Sequence, residues 1–349
     1  MSAESHTHIE ISLASVLKFV LVIVALLALY LLKEVIGIFL FALIIASAIA
    51  PFADWLESKG LPRVLGVLLL YLVVFGLAAL LLSLIVPYVS QELLQLTVNL
   101  PIILTKVTTS LDTVQQQSSK YFDFASEIQN MLDYFSAYLQ QFSQSAIGII
   151  VSIFGGIFSF AAIVIISFYL SVMKGGIDTF MKSVMPEKYE AYVVSLWKRS
   201  EAKVGRWLQG QMLLALIVGL AVYVGLSLMH VKFALILGVL AMILEIVPIA
   251  GPVLAAIPGV ILGFLGSPVQ GFWILLFYFA VQQLENHILA PIILGKTTGL
   301  NPVTVIIALL VGGQLAGISG MLLAVPIATV IVEILDDLAK RKELKRGSV

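Results

Sequence analysis

The chain has 349 residues, of which 60% are hydrophobic and only 11% charged, with a mean hydropathy of +1.09. A soluble domain carries about 25% charged residues, so the composition excludes one and defines an integral membrane protein. The net charge of zero gives no reason to expect a nucleic-acid partner, and the absence of cysteine excludes disulfides, thiol nucleophiles and thiolate metal sites.

The apolar runs are long and continuous, which excludes the alternating pattern of a membrane β-barrel. The expected fold is an all-α polytopic membrane protein: about six full spans plus two interrupted helical hairpins in an inverted-repeat arrangement, with an outward helical arm. The first run, 13–32, is long enough to span and reads as a retained helix, since the small-residue pattern Ala46–Ala50 lies beyond a second apolar run and precedes Pro51. With 35–53 and 64–86 it forms a three-span scaffold over 1–86.

Residues 87–146 form an extracytoplasmic helical arm with Leu93, Leu96, Leu100, Ile103, Val107, Leu111 and Val114 at helical spacing. The pattern stops at 115–119 and resumes at Ile128, Leu132, Phe135 and Leu139. A solvent-facing hairpin and a contact between subunits fit this stripe equally. A fourth span covers 147–173. The cytoplasmic amphipathic segment 174–209 is opened by Pro186 and carries Tyr189, Tyr192, Val193, Leu196 and Trp197 beside Lys198, Arg199, Lys203 and Arg206; it reads as a helix on the inner membrane surface. Next come the transport bundle, 210–338, and a basic tail, 339–349. Basic residues concentrate in 54–63, 174–207 and the tail, whereas 87–145 holds two lysines against five acids, so both termini and the basic loops are expected in the cytoplasm.

Within the bundle, spans 210–229 and 271–293 alternate with two broken apolar stretches. One is interrupted at 245–252, around Pro248, Gly251 and Pro252; the other at 312–320, around Gln314, Gly317 and Ser319. Their halves have about 15 residues, roughly 22 Å, which is short of a 30 Å core and favours re-entrant hairpins over full crossings. Backbone without partners survives in a membrane only inside protein or beside water, so paired breaks point to a transporter's substrate site.

A charge at mid-bilayer costs about 2.5–3.5 kcal/mol on insertion scales. Lys18, Lys33 and Glu34 sit at span ends and can snorkel. Glu245 lies inside an apolar run, just before the first break. It is either an ion ligand or a protonated or backbone-bonded core residue. Gln282, Glu285 and Asn286 share one helical face, with Gln283 and His287 beside them, so that helix lines protein or water. Interhelical hydrogen bonding and a transport path both explain the cluster. Close helix packing explains the glycines at 312–320 as well as ligand binding does, while Gln314 and Ser319 could offer polar groups to a solute.

Two enzymatic readings are weaker. Gly317-Ile318-Ser319-Gly320 matches the GxSG pattern of rhomboid-type intramembrane proteases, but no histidine follows the serine. The four histidines, His6, His8, His230 and His287, are too dispersed for a metal site. No cofactor is expected.

The strings Glu245-Ile-Val-Pro248-Ile-Ala-Gly251-Pro252, Leu284-Glu285-Asn286-His-Ile-Leu-Ala-Pro291, Gly299-Leu-Asn301-Pro302 and Gly312 to Pro326 resemble the autoinducer-2 exporter family, as do Pro51 and Gly60-Leu-Pro62-Arg63. Asn301 departs from it, standing where the family pattern has histidine. The resemblance implies a bacterial inner-membrane secondary transporter, a homo-oligomer with five copies as its favoured number, and a small polar solute such as the furanosyl signal as cargo. Sodium (or lithium)/proton exchange is the alternative the family carries, so the partner is a solute, a monovalent cation or a proton. The chain has no GxxxxGK[ST] phosphate loop, which leaves an ion or solute gradient as the energy source. The proposed contacts are Glu245, Pro248, Gly251, Pro252, Gln282, Glu285, Asn286, Gln314, Gly317 and Ser319, with the two hairpin tips facing each other.

Overall fold

The computed structural model describes residues 13–115, 156–295 and 299–346. Regular structure among them is helical throughout: α1 (Leu13–Leu31), α2 (Lys33–Ser58), α3 (Arg63–Gln115), α4 (Ile157–Val172), α5 (Gly176–Val184), α6 (Glu187–Leu228), α7 (Ala234–Leu244), α8 (Ala250–Gly266), α9 (Pro268–Leu284), a π-helical turn (Glu285–Leu289), α10 (Ala290–Ile293) and α11 (Pro302–Arg346). Backbone that cannot reach water must pair with itself, which is why helices carry nearly all of the described residues. The protein is an all-α polytopic membrane protein. The second half of the expected outward arm and the start of the fourth span lie outside the described residues.

The expected spans 13–32 and 35–53 correspond to α1 and α2, which part at Leu32, where the backbone leaves helical dihedrals (φ −91°, ψ 5°). Leu32 N–H still donates to Ala28 O and Ile36 N–H to Leu32 O, both at 2.9 Å, so the join is tight. Helices α2, α3 and α4 pack through Ala53, Val67 and Tyr71 against Ile49, Val164 and Phe168. Tyr71 Oη donates to Ser167 Oγ at 2.7 Å. Arg63 ties the α2–α3 loop down, donating through Nε to Ser171 O at 2.9 Å while pairing with Asp54 and Glu57.

The boundary expected at residue 209 falls inside α6, a single helix of 42 residues. At 1.5 Å per residue that is roughly 63 Å, twice the hydrocarbon core, so the amphipathic segment extends the span rather than starting a separate helix. Its basic residues meet acids on α11. Arg199 reaches Asp337 at 2.5 Å and Glu333 at 3.1 Å, Lys203 pairs with Glu333, and Arg341 stacks over Tyr192 at 4.2 Å. These contacts run in opposite order along the two helices and form an antiparallel clasp. Glu333 is buried and Lys203 half-buried, so Glu333→Gln strands an ammonium. It is expected to destabilise the protein by about 1–3 kcal/mol, less than for a fully buried pair because Lys203 is only half-buried and Arg199 keeps its pair with Asp337. Denaturant unfolding in detergent measures this; an unchanged midpoint would show that the clasp contributes nothing.

The bundle from residue 210 onward is built from helices alternating in direction. Gly219 lies against Met242 and Gly238 against Tyr223, setting α6 and α7 antiparallel; Gly263 against Ile274 and Gly271 against Phe264 do the same for α8 and α9. Leu214, Val218, Val222, Leu226, Leu237, Ala241, Ala255 and Ile274 fill the space between them. Pro302–Glu343 is long and apolar enough to cross a membrane, as are Lys33–Ser58, Arg63–Ile85 and Glu187–Leu228. It is nevertheless not one crossing. Backbone leaves the helical region at Ala316 and Gly317, and a Cβ on Gly312 would fall 2.4 Å from Gly320 O. Eight residues of straight helix would separate these positions by about 12 Å, so the chain folds back on itself.

Candidate substrate and ion site

The first break begins where α7 ends. Val247 N–H turns back to Leu244 O at 3.0 Å, and Ala250 N–H donates to Pro248 O at 2.7 Å. That second bond closes a three-residue turn centred on Ile249, at φ 66° and ψ −53°. Such a conformation is rare and strained for a β-branched residue, and it persists only where the surroundings impose it. Pro252 lacks the N–H that a continuing helix would offer Pro248 O, leaving that carbonyl to Ala250. Gly251 permits the reversal: a Cβ there would stand 1.9 Å from Leu244 O.

Glu245 caps the C-terminal end of α7, just before this turn, and is 1% exposed. Its backbone carbonyl accepts from Gln211 Nε2 of α6 at 2.5 Å. The Glu285 carboxyl lies against its side chain. When ionised, both carboxyls are acceptors only, and no other donor among the described residues reaches Glu245 Oε1 or Oε2. Gln211 Oε1 is also buried and equally without a partner. An unsatisfied buried group costs about 1–3 kcal/mol, so three such oxygens on Glu245 and Gln211, residues already bonded to each other, mark a place built for something besides stability.

Glu285 is 6% exposed and opens the π-helical turn, an irregularity found mostly at functional sites. Gln282 Nε2 reaches both Glu285 Oε2, at 3.4 Å, and Asn286 Oδ1, at 3.3 Å. The face predicted from the sequence thus exists, with Glu285 buried, Gln282 half-buried and Asn286 exposed. His287 Nδ1 shares a 3.0 Å contact with the carbonyl of Gln283, one turn back on its own helix.

The second break is placed differently from the expectation. Val247 of the first tip packs with Leu309 and Ala324, and Ala250 joins them, so the first tip lands on the shaft of the second hairpin. The second tip projects past it: Gln314 and Gly317 are exposed, Ser319 is half-buried, and Leu315 is 71% exposed. Pro248, Gly251 and Pro252 therefore frame the acid pair, whereas Gln314 and Gly317 stand at an outlying turn. Gln211 is the residue that sequence reasoning missed. A single glutamine at the edge of an apolar run looks like an interfacial residue, and only the fold shows it buried. Among the described residues, no three His, Cys, Asp or Glu side chains come together as a metal site.

Buried acids beside a helix break, in an all-α polytopic chain, define a membrane protein of the discontinuous-helix class, in which such features line solute and ion paths. Residues 19–340 match the family model described as AI-2E family transporter, and the chain belongs to that family. It is 29% identical over 308 residues to "Putative transport protein YueF" of Bacillus subtilis (strain 168), covering 85% of this chain and 82% of that protein. It is 26% identical over 305 residues to "AI-2 transport protein TqsA" of Escherichia coli (strain K12), covering 86% and 85%. A shorter stretch of 128 residues is 37% identical to "Putative transport protein YhhT" of the same organism, covering 36% and 37%.

Proposed function

We propose that the protein is a secondary transporter of the bacterial inner membrane that exports a small polar solute of the autoinducer-2 kind, driven by an ion or solute gradient. The observation that carries this reading is the buried Glu245–Glu285 pair at the Pro248–Pro252 break, where acceptor oxygens lack donors. A proton or monovalent cation between the two carboxyls would relieve their repulsion, and its departure would make the pair unstable until the next one arrives. Gln282 and Asn286 continue the polar face from Glu285 toward the surface and would receive solute. Gln314, Gly317 and Ser319 would act at a separate constriction formed by the second turn. The similarity to "AI-2 transport protein TqsA" supports that solute class.

Exchange of Na⁺ or Li⁺ for protons is a second reading, favoured by the same acid pair, which needs no organic solute. Proteoliposomes separate the two. Efflux of labelled autoinducer-2 from loaded vesicles supports export; dissipation of an imposed pH gradient by Na⁺ or Li⁺ alone supports antiport. Neither response would sink both. Assembly as a homo-oligomer, with five copies expected, fits the exposed apolar arm carrying Val303, Ile306, Ile307 and Leu310, and mass measurement in detergent tests it. Cytoplasmic termini follow from the basic loops.

A further inference from the structure

Gln211 is 1% exposed and sits on α6, a different element from either acid. Its Nε2 donates to Glu245 O at 2.5 Å. That bond fixes which way the amide points, because the reversed amide would set oxygen against oxygen. The amide oxygen is thereby left buried and without a donor, as are both carboxyl oxygens of Glu245. Three acceptor oxygens thus belong to two residues already in contact, with the Glu285 carboxyl against them and no donor among the described residues. A proton on one carboxyl would bridge the acid pair but bring nothing to Gln211 Oε1. A cation stripped of water takes oxygen ligands from every side at once.

We propose that Gln211 contacts the cation through Oε1 and sets the affinity of the Glu245–Glu285 site for it, a role that rests on the ion-coupled reading above. Its amide then has two duties. The Nε2 end holds the carbonyl that the break leaves at the end of α7, and the oxygen completes the ligand set. The same helix carries Arg199 and Lys203 of the clasp, so α6 joins the site to the inner arm of the second hairpin.

Two substitutions separate these duties. Gln211→Met removes both polar ends; Gln211→Glu, assayed at alkaline pH, keeps an oxygen but loses the donor. Full-length protein in detergent is titrated with NaCl, LiCl and KCl against choline chloride at constant ionic strength, reading thermal stabilisation, and flux is measured in parallel in proteoliposomes. The methionine variant is expected to raise the half-saturating cation concentration roughly tenfold or more, while the glutamate variant stays within about threefold of wild type or binds more tightly. Both lose the bond to Glu245 O and should melt lower, the glutamate variant further because it sets a carboxylate oxygen against that carbonyl. Equal loss of affinity in the two variants would reduce Gln211 to a pin for the helix end and overturn the proposal, as would a wild type that no cation stabilises. Cation binding that depends on Gln211, in a protein with no flux, upholds the proposal and sinks the transport reading instead.

Discussion

Glu245→Gln is expected to reduce coupled flux in proteoliposomes by about 100-fold or more, and at the same time to leave the protein as stable as the wild type or more so. The two effects come from one cause. Glu245 is buried with both carboxyl oxygens lacking donors and a second carboxyl against it. Glutamine has nearly the same shape but brings an amide N–H₂ that can donate to Glu285, turning a repulsive contact into a hydrogen bond. Removing one of two buried like charges relieves their repulsion and the cost of burying a charge, and sites that trade stability for activity behave in this way. Melting curves in detergent and initial rates in vesicles check both halves. A variant that melts earlier and still transports would show that the carboxyl is a structural group. Glu285→Gln should behave alike, although Gln282 partly satisfies Glu285 already and the gain in stability should be smaller.

The second large effect is steric. At Gly251 a methyl group would stand 1.9 Å from Leu244 O and 2.5 Å from its carbonyl carbon. Both are backbone atoms, so no side-chain rotation relieves the clash. The turn around Ile249 must open, and the contact of Val247 and Ala250 with Leu309 and Ala324 goes with it. Gly251→Ala is therefore expected to cost about 3 kcal/mol or more, at the upper end of overpacking effects, and to abolish transport. Gly37→Ala is the control, because nothing lies within 4 Å of a Cβ there. An alanine with open space around it in a helix interior should gain up to about 1 kcal/mol over glycine. Opposite signs at the two positions, read by denaturant unfolding, are the expected result; equal behaviour would mean that the break is not a tight reversal.

The parts of the fold legible in the sequence are those where one residue type has few physical reasons to be present. Pro248, Gly251 and Pro252 in an apolar run announce the first break, and Gly312 to Gly320 the second. Glu245 and Glu285 stand out because a carboxylate inside a span is expensive. What stayed hidden depends on contacts between distant residues of unremarkable type. Val247, Leu309 and Ala324 look like any lipid-facing residues, so the first tip settling on the shaft of the second hairpin left no mark, and facing tips were the natural expectation. The basic residues of 198–206 read as a membrane-surface helix because their acids, Glu333 and Asp337, lie some 130 residues away.

The chain contains no cysteine, which makes one measurement unusually direct. Single cysteines placed at Ile246, beside the acid pair, and at Asn286, on the polar face leading from Glu285, are probed in intact membranes with a charged, membrane-impermeant maleimide applied to either side. If the break is walled by protein and wetted by a path for solute, both positions react from at least one side, and transported solute or cation slows the reaction. Should both resist the charged reagent while a lipid-soluble maleimide labels them readily, the acids would be facing hydrocarbon and the site described here would not exist.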